Sequence, residues 1–70
     1  MPVVRPKKIV YRKQEYYYTI PTDADGKPVG YIFYSMEDPG LTSPIGFVKA
    51  DPAKKYYPTG DIGPVPEGLA

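Results

Sequence analysis

The chain has 70 residues with a net charge of +1 and contains neither Cys nor His. Disulfides and thiolate metal sites are thereby excluded, and so are the commonest transition-metal ligand and the commonest general acid/base at neutral pH. One small domain is the most this length can form, its core supplies roughly 3–5 kcal/mol, and the usual staples are missing.

Charge is unevenly spread. Residues 1–13 hold Arg5, Lys7, Lys8, Arg12 and Lys13 and no acid, while 14–70 hold four bases and eight acids. A basic arm on a mildly acidic body is a layout that reaches toward nucleic acid or an acidic protein surface. Ten Pro and seven Gly argue for stiff, extended connections, whereas eight Tyr and two Phe argue for ordered patches. No apolar run approaches the roughly 20 residues of a membrane span, and the first residues lack the apolar stretch of a signal peptide. A cytoplasmic or virion-associated protein with no membrane contact is expected.

In chain order, residues 1–14 read as a basic arm, with a possible early strand over 8–13. A strand follows over about 15–21, ending in the run Tyr16-Tyr17-Tyr18-Thr19-Ile20. Asp25-Gly26 signals a hairpin return, because Gly takes the positive φ that a tight turn needs. Val29 to Met36 is the strongest strand candidate, so the hairpin 15–36 anchors the reading. Glu37-Asp38-Pro39-Gly40 is a second turn. Residues 45–50 read as a third, shorter strand. Asp51 caps one helical turn with Pro52 at its first position. From Pro58 the chain reads as an extended Pro/Gly-rich tail. The expected fold is mainly β: a two- or three-stranded antiparallel meander over 15–57 between two Pro-rich arms.

A hairpin centred on Asp25 pairs Tyr18 with Ile32, Tyr16 with Tyr34 and Ile20 with Gly30 on one face. Tyr17 with Phe33 and Thr19 with Tyr31 fall on the other. An ordinary half-exposed hairpin alternates apolar and polar residues, and this one is aromatic on both faces. A second layer must cover one of them: a second copy, a larger protein, stacked bases, or the chain's own arms folded back. The expected partner-binding residues are Tyr16, Tyr17, Tyr18, Tyr31, Phe33, Tyr34, Phe47, Tyr56 and Tyr57.

Motifs for chemistry fail one by one. Asp23-Ala24-Asp25-Gly26 resembles the start of a calcium loop, but its first and last ligand positions would be Pro21 and Ile32, which carry no carboxylate. Asp23, Asp25, Glu37 and Asp38 sit in turns, where exposed acids make poor general acids. Ser35 and Ser43 have no evident base, and the glycines form no phosphate loop. No enzyme, metal or cofactor is expected. The pattern points to a structural or accessory subunit docking on a larger assembly by protein contacts or self-association, with a phage or virus particle as the expected setting. Basic residues beside aromatics support an alternative, nucleic-acid binding through Arg5, Lys7, Lys8, Arg12, Lys13, Lys54 and Lys55. A third reading is a regulator that caps another protein's sheet edge.

Overall fold

The computed structural model describes residues 6–55 and 57–68. They form one antiparallel sheet in sequence order: β1 (Lys7–Tyr11), β2 (Gln14–Thr19), β3 (Gly30–Tyr34), β4 (Pro44–Asp51) and β5 (Tyr57–Gly63). A 3-10 turn, Pro52–Lys54, joins the last two, and Asp51 caps it by accepting from the Ala53 amide, as its sequence implies. The mainly β class stands, and the hairpin of β2 and β3 spans 14–34, against the expected 15–36. The strand number is corrected from two or three to five.

Of the two additional strands, the sequence suggests β1 only as an optional strand over 8–13 and β5 not at all, for different reasons. β1 and β2 are joined by Arg12 and Lys13 alone, both at positive φ (52° and 68°). This is the two-residue return that sequences normally mark with Asn or Gly, and neither is present. β5 contains Pro58 and Gly60, which read as breakers. An edge strand tolerates both, since one side of its backbone makes no ladder.

The register is also corrected. Tyr17 pairs with Tyr34, Tyr18 with Phe33 and Thr19 with Ile32. The Asp25-centred pairing does hold nearer the turn, where Thr22 bridges Pro28. Between that bridge and the Thr19–Ile32 pair, residues 20 and 21 face residues 29, 30 and 31. The extra residue shifts the strands by one and moves each β3 side chain to the other face. The Asp23 carboxylate fixes the turn by accepting from the amides of Asp25 and Lys27, both at 2.9 Å.

Both faces of β2 and β3 are covered, and the flanking segments do the covering. On one face Tyr31, Phe33 and Val48 are buried beneath Ile9 and Tyr11 of β1, Tyr16 and Tyr18 of β2, and Ala50 and Ile62 of β4 and β5. Phe33 is wholly inaccessible. Its ring stacks on Tyr16 at 4.9 Å and tilts against Tyr11 at 5.4 Å. On the other face Ile32, Tyr34 and Phe47 are buried against Tyr17, Leu41 and Val65. Two glycines permit this packing. A Cβ on Gly30 would overlap the Phe47 ring and lie 2.6 Å from the Val48 carbonyl, and one on Gly46 would overlap Ile62.

The sheet curls into a half-barrel that brings its first turn to its last strand. The Tyr11 hydroxyl donates to the Gly60 carbonyl, and the Arg12 guanidinium donates to the same oxygen at 3.0 Å. Arg12 also pairs with Asp61 at 3.0 Å. Among the described residues no backbone ladder joins β1 to β5, so side chains bridge the sheet's two edges.

Candidate binding surface

The aromatic residues expected to meet a partner divide by position. Tyr31, Phe33, Tyr34 and Phe47 are buried inside the fold, so their role here is core. Tyr16, Tyr17 and Tyr18 are half-buried against them, leaving ring edges in solvent. Tyr57 is 63 % exposed at the start of β5. Tyr56 lies outside the described residues.

The cations form two sets. Lys7, Lys8, Arg12 and Lys13 are exposed on β1 and its turn, and Lys54 and Lys55 are exposed at the end of the 3-10 turn and just after it. Arg5 lies outside the described residues. Lys7 sits opposite Tyr18 and Lys8 opposite Tyr17 across β1 and β2. Arg12 is engaged with Asp61 and lies 5.5 Å from the Tyr11 ring centroid. Hydrogen bonding with Tyr11, then the Asp61 charge, raises its pKa further.

The backbone of β1 defines a second feature. In a two-residue hairpin the residues flanking the turn, Tyr11 and Gln14, exchange hydrogen bonds, and pairs alternate from there. Lys7, Ile9 and Tyr11 thus direct their amides and carbonyls to β2, while Lys8 and Val10 direct theirs to the open side. Among the described residues no strand pairs with that side, nor with the outer side of β5. Val10 is 65 % exposed, an apolar side chain left in solvent on an open strand.

Three of the acids, Asp23, Asp38 and Asp51, serve loops. Asp38 accepts from the Thr42 and Ser43 amides at 3.0 and 2.8 Å and from the Thr42 hydroxyl at 2.9 Å. The Ser43 amide, followed by that of Thr42, lowers its pKa. Asp23 and Asp51 serve their turns in the same way. Among the described residues no group of three acids stands where it could hold a metal ion. Burial raises the Tyr31 phenol, with the nearby Tyr18 and Tyr57 hydroxyls adding to the effect. A recess of about 470 Å³ between β4, β5 and the following prolines is lined by Phe47, Lys49, Thr59 and Asp61 among others. It holds one cation, one anion and the Thr59 hydroxyl, which donates to the Lys49 carbonyl at 3.4 Å. Among the described residues no helix is long and apolar enough to cross a membrane.

Sequence reasoning did not single out Val10, Gly60 or Asp61. Val10 lies in an apolar run whose strand was read as optional, and Gly60 and Asp61 gain meaning only when the sheet curls. Comparison with family models, curated proteins and solved structures gives no match.

Proposed function

We propose that this protein is a non-enzymatic accessory subunit that docks on a larger protein assembly. One observation carries this reading: the outer side of each edge strand lacks a strand partner among the described residues, and each strand leaves a large apolar side chain, Val10 or Tyr57, mostly in solvent. An open edge with apolar side chains is a template for pairing, and small sheets normally blunt or cover it. A partner's surface provides that cover. The carboxylates engaged by loop amides, and not by a base or a second acid, favour binding over catalysis.

The assembly is proposed as a class and not as a virus particle in particular. The arms that favoured docking are shorter than expected, since the sheet takes up 7–11 from the first and 58–63 from the second.

The test is affinity purification of the tagged chain from its native cell, followed by sizing and mass spectrometry. Recovery in fixed ratio with the proteins of one high-mass complex supports the reading. Recovery as a lone compact monomer overturns it.

Nucleic-acid binding is a second reading, favoured by the exposed Lys7, Lys8 and Lys13 on one hairpin with Tyr17 beside Lys8. A near-neutral chain gathers little long-range attraction for a polyanion. Retention on immobilised single-stranded oligonucleotide that falls steeply with salt would support it.

A further inference from the structure

The half-barrel has an opening of defined geometry. Five strands that alternate in direction leave β1 and β5 running the same way. One added strand, antiparallel to both, is the element that fits between them. The opening is spanned near one end by side chains, Tyr11 on the Gly60 carbonyl and Arg12 on Asp61. Along β1 the amides and carbonyls of Lys8 and Val10 face it. Ile9, Tyr11 and Ile62 line its inner side and are only partly buried.

We propose that this opening takes an extended acidic segment of a partner protein as a sixth strand. Charge selects the occupant. Residues 7–13 hold no acid, and beside Arg12, which is paired with Asp61, they carry the exposed Lys7, Lys8 and Lys13. Two copies joined edge to edge through β1 would bring two such sets together, so these cations oppose self-pairing. The same cations attract a strand bearing carboxylates, whose alternate apolar side chains would complete the cover over Ile9 and Ile62. The inference rests on the docking reading and names the place and chemistry of the contact.

The test is residue-resolved amide hydrogen exchange of the full chain with two probes, capped peptides of alternating Glu and Val and of alternating Lys and Val. With the acidic probe at roughly ten times its Kd, exchange of the Lys8 and Val10 amides should slow about tenfold. Ile9, whose amide already bonds to β2, should not change. Val10→Pro removes an edge donor without touching the β1–β2 ladder, and Lys8→Glu reverses a charge; each should abolish the protection while Tyr16 and Phe33 keep their native resonances. No protection with the acidic probe, or equal protection with the basic one, overturns the proposal. Protection that rises with protein concentration and no peptide also overturns it, in favour of a second copy. If Val10→Pro still co-purifies with the native assembly, the edge proposal falls while the docking reading stands.

Discussion

Arg12, in the turn after the first strand, pairs with Asp61 on the last strand, and the sheet is curled through that contact. The same guanidinium reaches the Gly60 carbonyl, which Tyr11 also engages. Residues 49 positions apart therefore hold the two edges of one sheet at a side chain's distance.

The pair is exposed on both sides, so it sets the width of the opening more than the stability of the fold. Arg12→Ala and Asp61→Asn should each lower the melting temperature slightly at low salt. The difference from the parent should shrink as salt rises toward molar. Thermal melts at two ionic strengths check this. In the double variant the second substitution should add little, because the pair is already broken.

Phe33 is wholly buried and sits between Tyr16 and Tyr11. Phe33→Ala should cost about 3–5 kcal/mol, as much as a core of this size supplies in total. The variant should be largely unfolded at room temperature by circular dichroism.

Gly46 faces Ile62 with no room for a methyl group. Gly46→Ala should destabilise by about 1–3 kcal/mol through overpacking. Ile62→Ala removes the obstructing methyl, so Gly46→Ala should cost less in that background than in the parent. A double-mutant cycle by urea melts reads the coupling.

Two groups shape the pH profile from opposite ends. Loop amides lower the Asp38 pKa below its unfolded value, so its contribution is present above the ordinary carboxylate range and is lost as pH falls through the lowered value. Burial raises the Tyr31 phenol, so its contribution is full below the ordinary tyrosine range and is lost as pH rises through the raised value. Asp38→Asn should flatten the acid limb of a stability–pH curve. Tyrosine ionisation followed by NMR should find Tyr31 titrating above the ordinary tyrosine range.

The hairpin of β2 and β3 was legible because Asp25-Gly26 marks its turn and aromatic residues mark its strands. Its aromatic faces were equally legible. What covers them was not, since Ile9, Tyr11, Ile62 and Val65 lie in segments that Pro and Lys make look like arms. The Arg12–Lys13 return carries no turn residue although both take positive φ, and the contacts that anchor Tyr11 and Arg12 lie 48 or more positions away. The register failed by one residue because an extra residue lies on the returning side of an irregular loop. The candidate site follows the same division. Its lysines were read from sequence, whereas the open edge at Val10 depends on the ladder.

The central claim is that this sheet is completed by a partner. Amide exchange at Lys8 and Val10, compared between the isolated chain and the chain purified within its native complex, tests it most directly. The account predicts fast exchange in isolation and strong protection in the complex, with Ile9 slow in both. Equal, fast exchange at Lys8 and Val10 in both states would contradict it.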